Sequence, residues 1–568
     1  MKKIYIVIAL LTLSAGGFAQ KSDSLLRRQM ELERDFNPTL LDADKINSLP
    51  ALREPVVTKA NTNYSTWAGR TTPPIEIALP RPANIMTQIP YSRKKGFLSF
   101  NAGNYANLDG VFGYRLVEDE KNNLNFSFLH NSTNGNIKYV QNVEPSDNKA
   151  YFMDNEGQLA YRHRAEALTL NMELSYLHSL FNYYGNRFGN TPAYNDKNQQ
   201  LGVFGAKVGI SSLQSDVWNY KGYIDFRNFS TGYGELPDSE GIKGNEINAM
   251  VGLDKPFGDQ SKVGIDGKLF TAFYNGDLSD YFLINGTPYI TFGNETSYAR
   301  LGADVLLQIS GNTKVRVAPN VKLQWAVTEY SSLYANISGG FRNNTFLDMM
   351  HESRYIRPYG NVKPSYSVID FEAGARIGEV YGFRFDLFGG FKKVEDEHFL
   401  LLHGMDTGNT ESPQLYRETL RPAYGELSHA HIGGMVQSNI WSSLDISLRL
   451  KKNFYTPKAI TLNEVQIEDP KPYNKPGFEA DLRAALTLTE NLKFTANYYF
   501  AGDRWSYFDG ANQKMDNIND LNAGAVYQIN DAFSITLRVN NLLSQKYDIW
   551  YGYPAQGFNA SGGFSFRF

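Results

Sequence analysis

From Phe97 onward the chain alternates between apolar and polar side chains with a period of two. Leu168, Leu170, Met172, Leu174 and Tyr176 alternate with Thr169, Asn171, Glu173 and Ser175. Phe383, Phe385 and Leu387 are set against Arg384 and Asp386, and Leu444, Ile446, Leu448 and Leu450 against Asp445, Ser447 and Arg449. The same pattern governs Leu492 to Phe500 and Phe533 to Val539. A period of two is the mark of a strand with unlike media on its two faces. The first hairpin is expected from Phe97–Tyr105 and Leu108–Leu116, and the third strand at Leu124–Leu129. The last stretch, from Gly557 to Phe568, puts Phe564, Phe566 and Phe568 on one face, and the chain stops on the last of them. An aromatic terminal strand suits a closed barrel, whose final strand seals the sheet with its apolar face in lipid.

The pattern predicts an all-β, transmembrane antiparallel barrel of about 22 strands. That count requires Lys314–Val317 and Val321–Val327 to form a hairpin across Pro319 and Asn320, and falls to about 20 without it. Short turns at Ser310–Thr313, Glu329–Ser332, Thr489–Asn491 and Asn530–Ala532 alternate with long connections near 132–155, 182–198, 275–293, 343–364, 393–424, 455–475 and 502–516. Short periplasmic turns and long outer loops are the usual asymmetry of such barrels. A soluble propeller would hide its aromatics and repeat with a fixed period, and no such repeat is present.

Composition agrees with this reading. A mean hydropathy of −0.40 and no long apolar run past the N-terminus exclude a bundle of membrane helices but not a barrel. A net charge of −3 gives no electrostatic case for nucleic acid. There are no cysteines, hence no disulfide, thiolate metal site or lipid-anchoring thiol. Residues 1–19 read as an export signal: Lys2 and Lys3, an apolar core from Ile4 to Leu13, then Gly17-Phe18-Ala19 before Gln20. Residues 20–95 carry a short amphipathic stretch from Ser22 to Phe36 and then frequent prolines, which forbid regular sheet or long helix. They are read as an extended periplasmic or lumenal segment, with the barrel over 96–568.

Val539-Asn540-Asn541-Leu542-Leu543-Ser544-Gln545-Lys546-Tyr547, then Tyr553-Pro554 and the closing aromatic strand, resembles the C-terminus of TonB-dependent receptors. Gly339-Gly340-Phe341-Arg342-Asn343-Asn344-Thr345-Phe346 resembles that family's G-F-R-x-P-T segment. Lys94-Lys95-Gly96 and the Gly103-Asn104 strand resemble barrels of Bacteroidota. The resemblance implies an outer-membrane barrel of about residues 97–568 engaged in transport. Asn344 stands where the family has proline, and Gln556 and Phe558 depart from its Y-P-x-P-G-R loop. Residues 20–95 are too short for the family's plug domain, so the expectation is a plugless receptor-like barrel. Glu54 to Thr58 gives only a faint echo of a TonB box.

No catalytic signature is present: the eight histidines are scattered, and there is no H-E-x-x-H, G-x-S-x-G or P-loop. No enzymatic activity, cofactor or metal is expected. His429 and His431, two apart on a strand, face one side without an identifiable third ligand. Glu173, Lys221, Asp225, Arg227, Arg384, Asp386 and Arg538 are the candidate lumen-facing charges. Tyr281-Phe282, Trp505-Tyr507-Phe508 and Trp550-Tyr551-Tyr553 fit either ligand-stacking loops or an aromatic girdle at the lipid interface. A barrel of this size leaks unless filled, and the loops near 343–364 and 393–424, or residues 20–95, are the candidate stoppers. Two functions are therefore expected: transport, passive or gated by a partner, or a scaffold subunit of an envelope complex. The partners expected are outer-membrane lipid and a periplasmic or surface lipoprotein; engagement of TonB is not expected.

Overall fold

The computed structural model describes residues 94–568 apart from 142–145, 186–197, 214–216, 235–238, 259, 277, 311, 358–361, 381, 404–418, 442 and 463–464. The proposed export signal, the proline-rich segment up to Arg93 and the Glu54–Thr58 stretch lie outside the described residues.

The alternating segments close into one antiparallel barrel of 22 strands. Neighbours in sequence are neighbours in the sheet, from Gly96–Gly103 round to Asn559–Arg567, and the first and last strands then pair. Phe97 lies opposite Arg567 and Phe100 opposite Phe564. Backbone bonds between Gly96 and Phe568, 2.7 and 3.0 Å, finish the seam. Closure leaves no unpaired edge, which is what permits a sheet to sit in hydrocarbon.

Met172, Leu174 and Tyr176 point outward and are exposed, as are Ile224, Val251, Leu387 and Leu537 on their own strands. Such a band of exposed apolar side chains is lipid-facing, because water would make it costly. The residues between them face the lumen. On Phe383–His403 a bulge between Val394 and Glu397, with Asp396 at φ 52°, shifts the register. Glu397 is turned into the interior, where Lys475 Nζ reaches it at 2.9 Å.

Several boundaries differ from the sequence reading. Asn312–Thr328 is one unbroken strand, so no hairpin forms across Pro319 and Asn320. The turn between Ser310 and Asn312 lies at the same end as the long connections. The count of 22 is reached without the expected hairpin. Many expected loops are strand. The third strand runs from Asn122 to Lys138 and pairs with Asp147–Arg164, and Thr419–Trp441 reaches 23 residues. About ten residues suffice to cross a bilayer, so these hairpins continue beyond the lipid. There no apolar medium imposes alternation, and the pattern that marked the strands fades.

Candidate functional site

The connection between Ser331–Arg342 and Ser365–Val380 folds into the barrel. Gly340 takes a φ of 117° at a bulge, and Asn344 a φ of 45°. Proline cannot adopt that left-handed conformation, which is the local reason Asn344 replaces it. Thr345 then caps a short helix, Phe346–Glu352, in a full capping box with Asp348. Phe346, Leu347, Met349 and Met350 are buried.

The helix finds its partners on distant strands. Phe346 stacks on Phe229, ring centres 5.7 Å apart, and Asp348 lies 3.7 Å from Arg227. Arg354 binds Asp154 at 2.8 Å and sits over Phe152. Glu352 meets His398 at 2.6 Å. Asp154 belongs to the fourth strand and Arg227 to the seventh, whereas the helix hangs between the thirteenth and fourteenth. In a closed ring of 22 strands, that path crosses the lumen. Burial works to raise the Glu352 carboxyl, but His398 and Lys475 outweigh it and hold it below the usual carboxylate range. Beyond the helix the chain pairs with the start of Thr419–Trp441 through Arg357 N to Leu420 O, 2.9 Å, and Leu420 N to Tyr355 O, 2.9 Å.

Two more segments pack beside the helix. The hairpin Arg504–Phe508/Ala511–Met515 contributes Met515, and the 541–558 connection contributes Trp550, Tyr551 and Tyr553 to the same buried cluster. Tyr553 stacks on Tyr355 at 4.1 Å, and Tyr184 donates a hydrogen bond to Pro554 O at 2.8 Å. Arg504 donates to the carbonyls of Asp548 at 2.8 Å and Ile549 at 2.6 Å, tying hairpin to loop. Burial lowers the pKa of Arg504 from its ordinary value. Asn541, in the segment resembling the receptor motif, donates to Gln545 O at 2.8 Å and Gln556 O at 3.0 Å. Tyr281, Trp550 and Tyr553 are therefore buried core of this cluster, neither lipid girdle nor open stacking surface.

Beside these segments lies a cavity of about 1530 Å³. Asp348, Met349, His351 and Glu352 of the helix line it, together with charged side chains of the walls such as Asp266, Arg300, Asp370, Lys392 and Lys451. His429 and His431 also line it, rings stacked 5.2 Å apart. His429 meets Asn453 at 3.0 Å and His431 faces Glu372 at 3.5 Å. Among the described residues no group of three His, Cys, Asp or Glu is arranged to hold a metal.

The candidate charges are placed as follows. Arg227 binds the buried Glu246 at 2.7 Å and faces the helix through Asp348. Lys221 lies 3.7 Å from Asp266, Arg538 lies 3.9 Å from Asp109, and Asp386 lies 3.8 Å from Arg376. Asp225 is the cross-strand partner of Lys207, as Glu173 is on the other side, and Arg384 is paired in register with Gln437. These residues do not line the cavity. Its own charges, including Arg300, Asp370 and Glu372, carry the same alternation signal, between Ala299 and Leu301 or around Phe371, and were passed over. The helix had no comparable signal, because it is only seven residues long.

No family model and no curated protein matches the chain. Solved structures do. A ferric enterobactin receptor mutant from Pseudomonas aeruginosa superposes with a TM-score of 0.58 at 11% identity, covering 84% of this chain and 80% of that one. The copper transporter OprC gives 0.59 at 10% identity, over 84% and 82%. The siderophore receptor PiuA from Acinetobacter baumannii gives 0.60 at 10% identity, over 84% and 82%. At such identities the likeness is one of fold, and the fold is that of TonB-dependent receptor barrels.

Proposed function

We propose that this protein is an outer-membrane transport barrel whose outer mouth is closed by its own inward-folded segments. One observation carries the reading: the helix Phe346–Glu352 lies across the lumen, anchored on the far wall by Arg227 and Asp154. A barrel of 22 strands encloses a lumen that must be filled if the membrane is to stay sealed. Here the contacts that supply the seal are side-chain ion pairs and one apolar cluster on the long outer connections. Passage then requires those contacts to part, either spontaneously or through a partner that binds the outer segments or the periplasmic side. Its physical basis is pore width and lining charge, with no covalent chemistry. The fold neighbours named for siderophore and copper transport favour transport over a scaffold role.

The test is single-channel recording in planar bilayers. The full-length protein is expected to be nearly silent. Replacing residues 345–357 by a flexible Gly-Ser linker is expected to give a large steady conductance. A silent linker variant that is still folded by heat-modified gel migration would instead favour an anchor whose lumen is never a path.

A further inference from the structure

One stretch of lumen wall carries more positive charge than it neutralises. It is formed by strands Asn219–Thr231, Lys243–Pro256, Ser261–Tyr274, Tyr281–Gly293, Tyr298–Ser310 and Asn312–Thr328. Arg300 and Lys322 are direct cross-strand partners. Like charges in that arrangement repel and cost stability. Asp266 is shared between Arg300, at 2.7 Å, and Lys221, at 3.7 Å. Lys221 reaches it across an intervening strand because Gly252 stands between them. A Cβ there would lie 2.6 Å from Asp266 Oδ1 and 2.7 Å from Lys221 Cε. Lys268 projects from the same strand face as Asp266, two positions on. Lys322 lies in the field of Arg300, Lys268 and Lys221, with Asp266 as the opposing charge. Neither Lys268 nor Lys322 has an ion-pair or hydrogen-bond partner among the described residues.

Two further facts bear on the charge balance of this wall. Arg300 Nε and Asp266 Oδ1 are buried with no hydrogen-bond partner. A buried guanidinium N–H left unmatched is costly, so the wall as it stands is under electrostatic strain. Asp304, a further carboxylate on this wall, is bound by neutral donors, Thr287 and Asn320, rather than by a lysine. Lys268, Arg300 and Lys322 all line the cavity of about 1530 Å³.

We propose that Lys268, Arg300 and Lys322 form a lumenal binding site for a small multivalent anion bearing carboxylate or phosphate groups. The guanidinium supplies planar hydrogen bonding and the two ammonium groups supply point charge. Such an anion removes the repulsion between Arg300 and Lys322. The idea rests on the transport reading only for the use to which the site is put, because binding itself is measured at equilibrium with the mouth closed or open.

The experiment is isothermal titration of the full-length protein in detergent micelles at low salt, with sodium citrate and with sodium tripolyphosphate. Saturable binding is expected for at least one of them, and which one binds distinguishes carboxylate from phosphate as the natural group. The double variant K268Q/K322Q is expected to weaken it at least ten-fold, while R449A, on another part of the cavity wall, leaves it within two-fold. Folding of each variant is checked by heat-modified gel migration. The proposal is overturned if neither anion binds saturably to the folded protein, or if R449A abolishes binding that K268Q/K322Q leaves intact. Citrate or tripolyphosphate binding in a protein whose linker variant stays silent would sink the transport reading and leave this site standing.

Discussion

Arg227 stands between two carboxylates, 2.7 Å from Glu246 on its neighbouring strand and 3.7 Å from Asp348 on the lumenal helix. Glu246 is 1% exposed, so it depends on that guanidinium, while Asp348 is 40% exposed and has water as an alternative. The same arginine thus holds the wall together and positions the closing helix against it.

Arg227→Ala is expected to cost about 3 kcal/mol, the usual consequence of stranding one buried partner of an ion pair. Asp348→Ala removes only the longer, half-exposed contact and is expected to cost well under half as much. Bilayer recording reads the helix contact that both variants remove, so openings should rise in both, whereas melting temperature should separate them. Equal effects on melting temperature would show that Arg227 acts through the helix alone.

Acid should loosen the closure. The Glu352 carboxyl is held below its ordinary value of 4.5 by His398 and Lys475. A group whose folded pKa is depressed contributes stability that is complete above its ordinary value and is lost as pH falls through the folded one. Full-length protein is therefore expected to be silent at pH 7 and to show openings below about pH 4.5. Glu352→Gln, which lacks the charge at every pH, should open at pH 7 and respond much less to acid. A pH response identical to that of the wild type would place the sensitive group elsewhere.

Gly252 is required by what passes over it. Valine there would drive into Asp266 and the Lys221 stem, both under 3 Å from the new Cβ. The lysine can swing away, but the carboxylate is 9% exposed and held by Arg300 at 2.7 Å. A loss of about 1–3 kcal/mol is expected, seen as a lower melting temperature, with Gly252→Ala falling between valine and wild type.

The last residue is part of the seam. Phe568 exchanges two backbone hydrogen bonds with Gly96, and its ring stacks on Tyr114 at 6.2 Å and Phe566 at 5.5 Å. Deleting Phe568 is expected to reduce the fraction of assembled barrel several-fold, read by heat-modified gel migration of membrane fractions. Phe568→Tyr, which keeps ring and backbone, should assemble normally.

The alternation around Met172, Leu174 and Tyr176 could be read directly because each strand meets lipid on one side and a wet lumen on the other. Every residue there records its own surroundings. Beyond the lipid, as in the upper part of Asn122–Lys138, that record stops, and strand carries no clearer signal than loop. Pro319 does not break its strand: Asn312–Thr328 carries it without interruption, in register opposite Ala303.

The sequence alone therefore determined the barrel, the direction its strands face and the aromatic seam at Phe564, Phe566 and Phe568. These follow from a periodicity written in neighbouring residues. Tertiary structure decided what fills the mouth and which charges meet. Phe346 and Phe229, and Arg354 and Asp154, are far apart in the chain and become neighbours only once the ring is closed. No local pattern encodes such a meeting, because the shape of the closed ring, rather than the preference of any one segment, brings those side chains across the lumen.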